Sequence, residues 1–90
     1  MLVVTTETIA HKEIVYSFEA IIAEEVMHVG FGFKIVEKLE ASKKEALDQL
    51  VKKAESLNAN AIVDLKYTIS SLSQVSAIVI VASGTAVKTQ

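Results

Sequence analysis

From Glu13 the chain alternates, with Ile14, Tyr16, Phe18, Ala20 and Ile22 on one side and Val15, Ser17, Glu19, Ile21 and Ala23 on the other. That period of two predicts a long strand. The same stretch also fits a helix, because Phe18, Ile21, Ile22, Val26 and Val29 sit at helical spacing and Ala, Glu and Met are good helix formers. Periodicity leaves the two open. Gly30 and Gly32, bracketing Phe31, end either element and predict a turn or a close backbone approach. Ahead of this region, the β-branched run Leu2 to Thr6 predicts a short first strand. Glu7 to Lys12 is a polar connection in which Ile9 needs an apolar contact.

Ser42-Lys43-Lys44-Glu45 has the form of a capping box and predicts a helix starting at Lys43. Ala46, Leu47, Leu50, Val51, Ala54 and Leu57 then recur every three or four residues, one apolar stripe facing a sheet. Asn58 is the expected left-handed stop. Upstream, Phe33, Ile35, Val36 and Leu39 fit another helical turn or two, or a short strand. Beyond the helix, Val63, Leu65, Tyr67 and Ile69 alternate with Asp64, Lys66 and Thr68, a strand with one wetter face. Ser70 to Gln74 is a predicted polar turn. Val75 to Ala82 is apolar on both faces and predicts a strand buried on both sides, with Gly84 allowing a bulge before Thr85 to Lys88.

Ninety residues allow one domain, 1–90, but 51% of them are hydrophobic and the mean hydropathy is +0.42. A chain of this mass buries only about 64% of its unfolded surface, so some apolar surface should meet a partner. The chain has no cysteine, which excludes disulfides, thiolate zinc sites and cysteine nucleophiles. All nine basic residues are lysine against eleven acidic ones, a net charge of -2 that argues against nucleic acid. No basic segment followed by an apolar stretch opens the chain, and the longest apolar run, Ala77 to Ala82, is far too short for a membrane span. The expectation is a soluble, cytoplasmic protein without a membrane partner.

Three groups of residues, taken in order, are distinctive together: Thr5-Thr6 with Ile9 and Ile14, then Asn58-Ala59-Asn60-Ala61-Ile62-Val63, then Gly84-Thr85-Ala86-Val87-Lys88. In this the chain resembles the YbjQ-like proteins, over most of its length. The resemblance implies strand for roughly Glu13 to Val26 and a small α+β fold similar to the dodecin subunit. That fold is a small antiparallel sheet with one long helix packed on one face and additional short strands for oligomer assembly. It also implies ring-shaped homo-oligomers, a pentamer or a decamer of two pentamers, a heavy-metal-binding label and no established enzyme activity. The chain departs from the family pattern at His11 and Ala23, where glycine is usual, and at Gly30, Phe33 and Lys34, while Glu24 is retained.

Metal binding is the sharpest chemical possibility. Glu24 and His28 would share one side of a strand, or lie one turn apart on a helix, with Glu25 and His11 as further ligands. Such oxygen and imidazole donors suit a divalent transition metal such as zinc, nickel or manganese; a solvated acidic face is the competing reading. No catalytic signature is present, since Ser70, Ser71 and Ser73 lack a histidine-containing motif, and the expectation is a non-enzymatic protein. Gly30-Phe31-Gly32 lacks the rest of a phosphate loop. Tyr16, Phe18 and Tyr67 could stack a planar ligand in an oligomeric cavity, by analogy with flavin binding in the dodecin-like fold, or simply pack. A single helix covers one sheet face only, so the other should close against further copies of the chain, with Ile21, Ile78, Ile80 and Val87 at the interface and Leu2 to Thr6 or Thr85 to Lys88 pairing between subunits.

Overall fold

The computed structural model describes residues 1–28, 35–72 and 77–90. In chain order these form β1 (Leu2–Val3), β2 (Ile14–His28), α1 (Ile35–Ser56), β3 (Ala61–Leu72) and β4 (Ala77–Thr89). The strands make one sheet in the order β1-β3-β4-β2, β1 parallel to β3 and the other pairs antiparallel. The fold is α+β with one helix packed on the sheet, as expected, although parallel β1 makes the sheet mixed. β2 is strand rather than helix because Ala77 to Thr89 offers it a partner along its whole length, and pairing with tertiary burial outweighs the modest helix propensity of Ala, Glu and Met. The predicted turn at Gly30-Phe31-Gly32 lies outside the described residues. So do Ser73 and Gln74 of the predicted turn after β3, whereas Ser70 and Ser71 belong to β3 itself.

The helix starts earlier than the capping box predicts and runs through Ser42 without a break. Leu39 precedes Ala46 and Leu50 by seven and eleven residues, so the apolar stripe continues across Ser42, and packing of that stripe decides where helix forms. The C-terminal end is as expected. Asn58 sits at φ 65°, its N–H donates to Glu55 O at 3.0 Å, and the Ala59 N–H donates to Ala54 O at 3.1 Å. These are the paired bonds of a Schellman stop.

Bulges decide which side chains share a face. Between the pairs Ser17/Val87 and Ala20/Thr85, Phe18 and Glu19 of β2 oppose Ala86 alone. Between Val63/Thr85 and Lys66/Ser83, Asp64 and Leu65 of β3 oppose Gly84 alone, with Asp64 at φ 58°. Each extra residue reverses the alternation beyond it. Phe18, Ile21, Ala23, Ile62, Leu65, Tyr67, Ile80 and Ala82 therefore all lie toward α1, packed with Ala46, Leu50 and Ala54. Behind the sheet, at the end where β1 lies, Ile9 packs on Ala61, Val63 and Val87, with Val4 and Ile14 alongside. Ile9 thus finds its apolar contact.

These faces correct the expected interface. Ile21, Ile80 and Val87 are 6%, 0% and 0% exposed within the single chain, and half-buried Ile78 packs on the same cluster as Ile80. Unbroken alternation would leave one sheet face bare; the bulges and the returning N-terminal segment instead place these side chains in the chain's own cores. Thr85 to Lys88 has no free edge either, because β4 lies between β3 and β2. Leu2 and Val3 already pair with β3.

Candidate functional site

Beyond the second bulge, the face away from α1 is a ladder read across β3, β4 and β2: Lys66, Ser83 and Ile22; Thr68, Val81 and Glu24; Ser70, Val79 and Val26. Ile22 and Val26 are 51% and 50% exposed, and Val79 and Val81 between them and β3 are half-buried. Glu24 and His28, both exposed, stand on this face on either side of Val26. Four residues of strand separate them by about 13 Å at roughly 3.3 Å per residue, with side chains standing off the sheet rather than along it.

Glu25 points the other way, where its carboxylate accepts from Gln49 Nε2 of α1 at 3.0 Å. His11 lies in the turn before β2, at φ 63°, about 30 Å of strand from Glu24. The fold thus puts Glu24 and His28 on one face without bringing them together, and it keeps Glu25 and His11 apart from both. Among the described residues no three His, Asp or Glu side chains converge to hold a metal ion, and the chain has no thiolate for a soft metal. The donors of one chain, among the described residues, therefore do not converge as a resident heavy metal requires.

Tyr16, Phe18 and Tyr67 do not form one cage. Tyr16 and Phe18 meet edge to face at 4.8 Å near the start of β2, while Tyr67 receives Lys43 Nζ of α1 over its ring at 4.9 Å. Burial pushes the Tyr67 phenol above its ordinary value, and the Glu40 carboxylate adds to the rise. Lys53 of α1 reaches the outer edge of β2 and donates to the Ile22 carbonyl. Neither that contact nor the exposed pair Ile22 and Val26 was evident from the sequence, where Ile22 falls on the side of Phe18. A glycine opposite an Asp-Leu step is the only trace the β3 bulge leaves there. No helix among the described residues is long and apolar enough to cross a membrane.

The fold has a solved counterpart in a protein of unknown function from Pediococcus pentosaceus, described as a member of the DUF74 family. It superposes with a TM-score of 0.76 at 21% identity and covers 100% of this chain and 98% of the other. A UPF0145 protein of Photobacterium profundum is 37% identical, covering 98% of this chain and 99% of its own length. A second UPF0145 protein, from Clostridium tetani, is 31% identical over 86% of this chain and 67% of its own. A third, from Psychrobacter arcticus, is 46% identical over 58% of this chain, which spans only 32% of that relative. Residues 30–90 match the YbjQ family, described as "Putative heavy-metal-binding". With more than half its length matched to that family and a near full-length UPF0145 relative, the chain belongs to the YbjQ family of uncharacterised UPF0145 proteins.

Proposed function

We propose that the protein is a non-enzymatic assembly module, a closed homo-oligomer whose binding sites arise where copies meet. The open sheet face carries this reading: two half-exposed apolar side chains, Ile22 and Val26, flank a valine pair with nothing over them among the described residues. A patch of that kind on a small protein marks an interaction surface. The shape agrees, since the chain measures 48 × 20 × 17 Å with a radius of gyration of 14.9 Å, against about 12 Å for a free-standing domain of this length. Its surface of 6043 Å² exceeds the about 5100 Å² usual for a monomer of this mass.

Light scattering after size exclusion tests it. The expected mass is a multiple of 9.7 kDa, five or ten copies on the family resemblance, and Ile22→Asp combined with Val26→Asp should lower it while the circular dichroism of the protomer is kept. A wild-type monomer at micromolar concentration refutes the proposal. The family description favours a second reading, a divalent metal held by Glu24 and His28 donated from more than one copy. Titration of the assembled protein with zinc, nickel and copper decides this: saturable binding abolished in Glu24→Ala and His28→Ala supports it, and no saturable binding removes it.

A further inference from the structure

We infer that the outer edge of β3 from Lys66 to Leu72 is a joint at which a second copy of this chain adds its own β3, antiparallel about a two-fold axis at Ile69. The inference rests on the oligomeric reading above in its ten-copy form, since two rings of five are related by two-fold axes and a single ring is not, and it names a contact distinct from the open face.

The sheet has two outer edges, and they are not equivalent. The edge of β2 is overhung by α1, which packs chiefly on β2 and β4 and least on β3, and Lys53 occupies the Ile22 carbonyl there. β2 also carries Glu19, Glu24 and Glu25 with no lysine. A lysine on the edge and a surplus of one charge are recognised means of preventing strand addition.

β3 lacks both the helix cover and the charge surplus: its one lysine, Lys66, stands at the very start of the free stretch, 3.8 Å from the Asp64 carboxylate. The N-terminal segment serves only its first half: the Leu65 N–H donates to Val4 O and the Asp64 N–H to Thr6 O. Among the described residues no strand pairs with β3 on that side from Lys66 onward. Since the Leu65 amide points outward, the amides and carbonyls of Tyr67, Ile69 and Ser71 point outward too, two residues apart. Ile69 is 49% exposed, although its partner Ile80 on β4 is fully buried, because the helix does not reach over the edge.

Lys66 to Leu72 is the free stretch, and Ile69 is its midpoint. A two-fold there uses the whole stretch without disturbing Val4. Ile69 then meets Ile69 of the second copy on the helix side, and Thr68 meets Ser70 in both directions on the other. Apolar and Thr–Ser cross-strand pairs of this kind are favourable, and no like charges face one another. A two-fold perpendicular to the sheet keeps both helices on one face, each set back from the joint over β2 and β4.

The chain has no cysteine, so single cysteines report contacts directly. Antiparallel hydrogen-bonded partners have Cα atoms about 5.5 Å apart, inside disulfide range. Ile69→Cys under mild oxidation should give a covalent dimer on a non-reducing gel, and Ile69→Lys should at least halve the mass seen by light scattering. Lys52→Cys, exposed on α1 away from both the joint and the open face, is the comparison and should give no covalent dimer. An oligomeric wild type in which Ile69→Cys stays monomeric on the gel overturns the joint and leaves the assembly reading standing. A wild type of five copies overturns the joint alone, and a monomeric wild type overturns both.

Discussion

Gly84 is the residue whose side chain the fold most clearly forbids. It stands alone on β4 opposite the Asp64–Leu65 bulge of β3, and a Cβ built there would lie 2.7 Å from Ile62 Cγ2, 3.1 Å from Val63 O and 3.8 Å from Leu65 Cα. The first distance is impossible without movement. Ile62 is fully buried and, being β-branched, has little rotamer freedom with which to retreat; the Val63 carbonyl is backbone. Gly84→Ala should therefore cost about 1–3 kcal/mol, the usual range for forcing a methyl into a packed core. At about 4–8 °C per kcal/mol for a domain of this size, 2 kcal/mol corresponds to a fall in Tm of about 10 °C. The cause is identified by a double-mutant cycle. Ile62→Ala removes Cγ2 and alone costs about 2–5 kcal/mol, but in its presence Gly84→Ala should become nearly free, a coupling of at least about 1 kcal/mol. Urea midpoints of the four proteins, at one fixed protomer concentration because assembly makes stability concentration-dependent, measure it. Additive losses, or a Gly84→Ala midpoint equal to wild type, would refute the reasoning.

Ser42→Ala should leave stability unchanged or raise it by about 0.5 kcal/mol, since Ser42 is interior to α1 and alanine is the better helix former; a loss near 1 kcal/mol in urea, the cost of removing a cap, would move the helix start to Lys43. Tyr67 predicts an alkaline limit: its folded value is raised, so above about pH 10, where the unfolded phenol ionises, the unfolded state holds fewer protons and stability falls as pH rises. Tyr67→Phe should flatten that fall in a series of midpoints between pH 9 and 11, and an unchanged slope would refute the assignment.

The sequence is most informative where one pattern governs a whole element. The stripe from Ala46 to Leu57, the left-handed Asn58 and the alternation of Leu65, Tyr67 and Ile69 all reappear in the structure. It misleads wherever one residue changes the count. Asp64 gives no warning that it takes φ 58°, yet that step puts Val63 behind the sheet and Leu65 beneath the helix. The same happens at Phe18 and Glu19, and it is why Ile22, which alternation groups with Phe18, stands on the open face instead. Ser42 fails for a different reason: a capping box is a local preference worth about 1 kcal/mol, whereas the stripe through Leu39 recruits tertiary packing. For the candidate ligands, sequence spacing placed Glu24 and His28 on one side of a strand, which is where they are. It could not show that strand geometry separates them or that Gln49 turns Glu25 toward the helix.

Element lengths explain why the chain has so much uncovered surface. Fifteen residues of β2 extend about 50 Å at 3.3 Å each, close to the 48 Å long axis of the molecule, whereas the 22 residues of α1 extend about 33 Å at 1.5 Å each. One helix cannot roof such a sheet. Gln49 meets Glu25 and Lys53 meets Ile22, so α1 runs antiparallel to β2 and gives out near Phe18. Beyond it, Val15 and Tyr16 are 52% and 60% exposed, and only Ile9 and its neighbours close the opposite face. Lengthening the helix would cover this end but not the ladder from Ile22 to Val26, which lies on the other side of the sheet. Apolar exposure is thus imposed by long strands, a single shorter helix and bulges that turn Ile22 outward, and among the described residues nothing covers the ladder.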